Sequence, residues 1–98
     1  APNAQYHIGD IYYGKGDYQN AMAAFDNVLE KYSDNTPKTP DALFMKGRCL
    51  MQLGRRNDAA TEYRELIKRY PNHETTAKAR AELKNMGLSA TAPAGRKK

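Results

Sequence analysis

The chain repeats itself once, and this internal repeat limits the folds it can form more than any other feature. A shift of 38 residues superimposes identical small and aromatic residues along the sequence. Such pairs include Ala4 and Ala42, Gly9 and Gly47, Gly16 and Gly54, Ala21 and Ala59, and Tyr32 and Tyr70. Between these pairs, large apolar residues fall on large apolar residues, as Phe25 does on Tyr63. A unit that recurs in this way cannot bury its apolar face alone, so we expect the two copies to stack.

The first copy reads as two helices joined by a tight turn. Apolar residues recur at helical spacing on both sides of a break at residues 14–17. We expect Asp17 to cap the second helix, because its carboxylate can accept hydrogen bonds from free backbone N–H groups. A segment with two prolines and two Asx residues, ending at Pro40, predicts a loop between the copies.

The second copy reads the same way and is followed by one more helix. Thr39 predicts an N-cap before a proline in the first turn, Gly54 a helix end, and Asn57 or Asp58 the next N-cap. A helix over about residues 74–86 has the polar outer face of a terminal cap. The predicted units are residues 1–33 and 41–71 as repeats, 34–40 as loop, 72–88 as capping helix and 89–98 as disordered basic tail. The predicted fold class is therefore all-α, with two helical hairpins and a cap.

Small residues are expected to let the two helices of each hairpin approach closely. Gly9 should face Ala21 in the first hairpin. The equivalent Gly47 should face Ala59 in the second. Large aromatic side chains would then fill the space beside these contacts. The residues predicted to pack the repeats are Gly9, Tyr12, Ala21, Phe25, Gly47, Leu50, Ala59 and Tyr63.

Composition excludes several function classes. The only cysteine is Cys49, so neither an intrachain disulfide nor a four-thiolate metal site can form. No nucleophile lies beside a histidine–acid pair, and no glycine-rich phosphate loop follows a strand, so we expect no enzyme, cofactor or metal. The net charge is +5, but basic residues alternate with glutamates over residues 62–69, which favours a solvated helix over nucleic-acid binding. No apolar run approaches the roughly 20 residues of a membrane span, and no signal peptide is recognised.

The spacing of small and large residues resembles that of the tetratricopeptide repeat, a helix–turn–helix of about 34 residues. Longer strings, at residues 6–13, 16–18, 37–43 and 62–71, resemble the C-terminal domain of the YbgF/CpoB family, periplasmic coordinators of cell division associated with the Tol–Pal system. This resemblance implies a right-handed superhelix, a periplasmic location and a TolA-like envelope protein as partner. Lys46 departs from that family, which has an apolar residue there. Outer-membrane assembly lipoproteins of the BamD type use similar repeats and are the alternative.

The first helices of successive repeats are expected to line a concave groove. The residues predicted to contact a partner there are Tyr6, Asp10, Tyr13, Phe44, Arg48, Met51 and Lys78. Aromatic rings, a flexible methionine and charges of both signs are typical of peptide-recognition surfaces. Tyr6 and Phe44 fit packing between the repeats equally well. The predicted function is a non-catalytic module that binds a peptide segment of a partner; the alternative is an assembly element that self-associates through its uncapped first helix.

Overall fold

In the computed structural model, residues 2–31 and 38–89 are described, and they form five α-helices. The helices are α1 (Pro2–Gly14), α2 (Tyr18–Lys31), α3 (Thr39–Gln52), α4 (Arg56–Arg69) and α5 (Glu74–Asn85). Each helix packs on the next one along the chain, and α3 also contacts α5. No strand occurs within these two ranges, so the predicted all-α fold class is confirmed. The tail predicted over residues 89–98 lies, apart from Ser89, outside the described residues, as does most of the predicted loop.

Side chains cap two of the helices. Asp17 caps α2 as expected, because the backbone N–H of Asn20 donates to Asp17 Oδ1 at 3.4 Å and the Asn20 amide donates to Oδ2 at 2.7 Å. His73 caps α5, since the N–H of Thr75 donates to His73 Nδ1 at 3.1 Å. Histidine is not among the preferred N-cap residues, so the second cap could not be predicted from residue type.

Two predicted caps are wrong because both helices start earlier than expected. Thr39 is the first residue of α3 and not its cap, so the helix begins inside the predicted loop. Likewise α4 begins at Arg56, and the side chain of its N-cap residue Arg55 makes no capping hydrogen bond. Asp58 lies in the first turn of α4, where it accepts a hydrogen bond from Arg55 Nε at 2.9 Å.

Helices α1, α3 and α5 each end in a turn of the same type. A glycine with φ of 77–80° follows each helix, at Gly16, Gly54 and Gly87. The residue after that glycine donates its backbone N–H to a carbonyl five residues earlier, at 2.8–2.9 Å. These pairs are Asp17 with Tyr12, Arg55 with Leu50, and Leu88 with Leu83. The third turn follows the second after 87 − 54 = 33 residues, so α5 occupies the position of the first helix of a third unit.

The two core glycines accommodate aromatic rings. A Cβ atom added to Gly9 would lie 2.7 Å from two ring carbons of Phe25. At Gly47, the nearest atoms all belong to the ring of Tyr63. Phe25 and Tyr63 are completely buried. Phe25 and Tyr63 thus pack against the glycines as expected, each one helical turn beyond Ala21 or Ala59, and the close approach of glycine to alanine stays a prediction.

The core is built from two clusters of buried side chains that meet at α3. One cluster joins the first hairpin to α3 and consists of Ala21, Phe25, Val28, Ala42 and Cys49. The other joins α3, α4 and α5 and consists of Leu43, Phe44, Leu50, Ala59, Ala60, Tyr63, Leu66, Ala79 and Leu83. Opposite sides of α3 thus contact opposite halves of the molecule, which orders the helices into a linear stack.

Lys46 connects three helices through ion pairs. Its Nζ lies 2.7 Å from Asp26 Oδ1 in α2 and 3.8 Å from Glu62 Oε2 in α4. Burial lowers the pKa of Lys46, but the hydrogen bond to Asp26 and the charge of Glu62 outweigh this effect, and the pKa is raised. The pKa of Glu62 is also raised, because burial outweighs the nearby charge of Lys46. Lys46 therefore ties the first hairpin to the second.

Candidate functional site

The predicted partner-contact residues of α1 and α3 occupy equivalent positions in the two helices. We call this surface the groove face and define it by Tyr6, Asp10, Tyr13, Phe44, Arg48 and Met51. Each α1 member is related to an α3 member by the 38-residue shift. Since Arg48 of α3 lies near the ring of Tyr13 in α1, the groove face crosses the boundary between the repeats.

Arg48 lies at the centre of the groove face, next to aromatic rings from both repeats. Its guanidinium carbon is 5.6 Å from the ring centroid of Tyr13 in α1 and 5.9 Å from that of Phe44 in α3. Both distances are within the range of cation–π attraction. The Arg48 side chain is exposed, and no carboxylate within residues 2–31 and 38–89 forms a salt bridge with it. Arg48 is therefore a cation that contacts two rings and remains accessible to an anionic group.

Two tyrosine hydroxyls near Arg48 are buried and lack hydrogen-bond partners within the described part of the chain. They belong to Tyr13 and Tyr63. Burial raises the pKa of Tyr63 above its usual value, the charge of Glu82 raises it further, and Arg48 acts in the opposite direction. The Tyr13 ring also contacts Tyr18 edge-on, with ring centroids 5.2 Å apart. Tyr13 is thus fixed between its own hairpin and Arg48 of the next.

The two aromatic residues with an alternative packing role differ from each other. Phe44 is 7% exposed and packs on Tyr63 with ring centroids 5.7 Å apart, so it is mainly a core residue. Tyr6 is half-buried, packs on Phe25 at 5.4 Å, and has Lys38 Nζ 4.9 Å from its ring centroid. Burial raises the pKa of Tyr6 to about 12, with smaller contributions from Asp41 and Asp10. Tyr6 is therefore a neutral phenol, and part of its side chain remains exposed for contact with a partner.

The remaining predicted contact residues are exposed to different extents. Asp10 is exposed, and Met51 is half-buried against the core cluster of α3, α4 and α5. Lys78 is also exposed. Counted from the shared turn, the α5 residues equivalent to Phe44, Arg48 and Met51 are Ala77, Ala81 and Lys84. Lys78 instead takes the position of Met45, because the second step of the repeat is 33 residues and not 38.

A pocket of about 350 Å³ is lined mainly by charged and polar side chains. Its lining residues are Met22, Asp26, Lys46, Leu50, Arg55, Asp58, Thr61 and Glu62. Its basic side chains pair with its own carboxylates, Lys46 with Asp26 and Arg55 with Asp58 at 2.8 Å. Charges that compensate one another in this way indicate a structural role. The groove face remains the best candidate for recognition.

Comparison with known proteins identifies the repeat. None of the described helices is long and apolar enough to cross a membrane. No individual curated protein matches the chain. The sequence profile of the tetratricopeptide repeat matches residues 6–74, which is more than half of the chain. Repeats of this kind generally mediate protein–protein interaction and are typically non-catalytic. With its hairpins, glycine turns and stacked helices, the chain belongs to the tetratricopeptide repeat family.

Proposed function

We propose that this chain is a non-catalytic module that binds a peptide segment of a partner protein along the groove face, with an acidic side chain of the peptide at Arg48. The observation that carries this proposal is the exposed Arg48 side chain, whose guanidinium lies near the rings of both Tyr13 and Phe44. Two rings from successive repeats restrict Arg48, so a carboxylate that binds it orders few additional side-chain rotamers. Charge-assisted pairing of a guanidinium with a carboxylate is also directional, which adds specificity.

The surroundings of Arg48 suit the apolar part of such a segment. Tyr6 and Met51 are half-buried, so each keeps part of its side chain exposed. Rings and a methionine adapt to different partner side chains, as in other peptide-binding surfaces. We therefore expect a ligand with one acidic residue flanked by apolar residues.

We further propose a cellular context from the resemblance stated above. The strings at residues 6–13, 37–43 and 62–71 support a role in Tol–Pal-linked envelope constriction and cell division, with a TolA-like protein as partner and the periplasm as location. A BamD-like assembly factor is the alternative, since its repeats share the same spacing.

The proposal is tested with fluorescein-labelled peptides that tile the soluble region of a TolA-like protein, measured by fluorescence anisotropy. Arg48→Ala should lower the affinity of the tightest-binding peptide about tenfold, the amount expected for one charge-assisted contact of about 1.4 kcal/mol. Arg48→Lys should recover only part of that loss, because an ammonium cannot stack as a planar group does. Lys68→Ala, which removes an exposed cation from α4, is the matched control and should leave binding unchanged.

A second set of peptides tests the pairing itself. Replacing the acidic residue of the bound peptide by its amide should cost as much as Arg48→Ala in the wild-type protein and nothing in the variant. If Arg48→Ala and Lys68→Ala bind the peptides equally well, the groove assignment is wrong. Tyr13→Ala should weaken binding by less than Arg48→Ala, because it removes one of the two rings beside the cation.

A further inference from the structure

The exposed charges on the groove face and its continuation on α5 change sign along the stack. Helices α1, α3 and α5 end in turns of the same type, so residues at equal distance from the turn glycine are equivalent. Counted in this way, Asp10, Arg48 and Ala81 occupy one position. Lys84 lies one turn beyond Ala81 on the same side of α5. The exposed charge is therefore negative on α1 and positive on α3 and α5.

These three charges have no ionic partner inside the molecule. Asp10, Arg48 and Lys84 are exposed, and none of them forms a salt bridge with another residue in the described part of the chain. By contrast, Lys38 and Asp41 at the start of α3 pair with each other at 3.8 Å. Charges that the fold itself does not pair remain available to a ligand of opposite sign.

The carboxylates of α5 do not cancel the positive charge of Lys84. Glu82 takes the position of Cys49, which packs in the cluster that contains residues of α2, so it faces the corresponding helix α4 and not the groove. Its charge accordingly contributes to the raised pKa of Tyr63 in α4. Glu74 lies at the start of α5, about 15 Å from Lys84 along the helix. The α5 end of the groove thus remains positive.

We propose that the peptide on the groove face is charge-polarised, with a basic residue at Asp10, an acidic residue at Arg48 and a second acidic residue toward Lys84. This inference rests on the proposed function, and it adds one charged residue beyond each of the apolar residues that flank the central acidic one. In this order each charge of the peptide meets its opposite. A peptide whose basic residue lies between the two acidic ones would instead bring a cation to Arg48 and a carboxylate to Asp10, and both contacts are repulsive.

The packing of the helices sets the spacing of the three charges in the peptide. Helix α3 contacts α5, and its Arg48 lies near Tyr13 of α1. Helices in contact lie about 8–10 Å apart, so the distance from α1 across α3 to α5 is about 20 Å. An extended chain advances roughly 3.3 Å per residue, so about three residues separate each charge from the next. A segment of about ten residues is long enough to reach all of them.

Selection from a random peptide library tests the order of charges directly. Phage-displayed peptides of about ten residues are selected on the wild-type chain and on variants with reversed charges. The wild type should select the order basic, acidic, acidic. Asp10→Lys should replace the basic residue by an acidic one, and Lys84→Glu should replace the second acidic residue by a basic one. Glu30→Lys in α2 and Lys68→Glu in α4 are the matched controls: they change the net charge equally at exposed positions and should select the wild-type order.

Fluorescence anisotropy with one selected peptide gives the size of the effect. Asp10→Asn should lower its affinity about threefold, which is typical of one exposed ion pair. The loss should disappear when the basic residue of the peptide is replaced by glutamine, because the pair is then already broken. High salt should reduce the loss as well, since exposed charges are screened.

The outcomes separate this inference from the proposed function. If Arg48→Ala selects the same peptides as the wild type, the proposed function fails, because the central acidic residue does not depend on Arg48. If Arg48→Ala changes the selection but Asp10→Lys and Glu30→Lys select the same charges, only the inference on charge order is overturned. Equal selection by Lys84→Glu and Lys68→Glu overturns it in the same way.

Discussion

Gly47→Ala is the substitution for which the structure predicts the clearest loss of stability. The added methyl group would lie 2.8 Å from Cδ1 of Tyr63, and closer still to Cε1 of the same ring. Ordinary contacts between such carbons are about 3.5–4.0 Å. Tyr63 cannot turn away, because it is completely buried and its other side packs on Phe44. The methyl group therefore displaces either the ring or the helix.

The expected magnitude follows from two opposing effects. Overpacking a core by one methyl group costs about 1–3 kcal/mol, and a contact this short against a fixed ring belongs near the upper end. Alanine in place of glycine in a helix returns about 1 kcal/mol. The net loss for Gly47→Ala is thus about 2 kcal/mol, which corresponds to a decrease in Tm of roughly 8–16 °C for a chain of this size.

Urea unfolding followed by circular dichroism measures the effect, and two other glycines calibrate it. Gly9→Ala should cost less, because the Phe25 ring atoms nearest to the added methyl group are 2.7 Å away, farther than Cε1 of Tyr63 is from the methyl group at Gly47. Gly14→Ala meets no atom within 4 Å and should be neutral or stabilising. Adding Tyr63→Leu should make Gly47→Ala far less costly than it is alone. A Gly47→Ala variant as stable as the parent would refute the ring-against-glycine packing.

Two further predictions concern buried polar groups. Tyr63→Phe removes a buried hydroxyl without a described partner, so it should raise the free energy of unfolding by up to about 1 kcal/mol; a loss in urea unfolding would contradict this. Burial raises the pKa of Cys49 from 9.0 and that of Tyr6 from 10.0 to about 12. The unfolded chain therefore loses these protons first, and stability that is complete below pH 9 should decrease as the pH rises toward 12. Urea midpoints measured from pH 7 to 11 should show this decrease, and Cys49→Ala should make it shallower; constant midpoints would disprove it.

Local sequence signals were sufficient to predict the helices and their order. Apolar residues at helical spacing, interrupted by Gly16 and Gly54, indicated the hairpins because a turn with positive φ requires glycine. Asp17 was recognised as a cap because a capping side chain acts within three residues of itself. Residue type alone does not predict where α3 and α4 start, since Thr39 and Asp58 have the residue types of caps without occupying cap positions.

The partners of these residues across the molecule could not be read from local signals. How closely the rings of Phe25 and Tyr63 approach Gly9 and Gly47 depends on how two helices are aligned, and local signals do not determine that alignment. The third turn follows the second after 33 residues and not after 38. The α5 residues equivalent to Phe44, Arg48 and Met51 are therefore Ala77, Ala81 and Lys84, and Lys78 is not among them.

By itself, the sequence determined that this chain forms repeated helical hairpins, because helix spacing, caps and turns are short-range properties. Only the tertiary structure decided that Arg48 lies between rings of two repeats, that Lys46 links three helices, and that Ile8 is left uncovered. Each of these features depends on distances between residues far apart in the chain, and such distances are set by how the helices pack on one another.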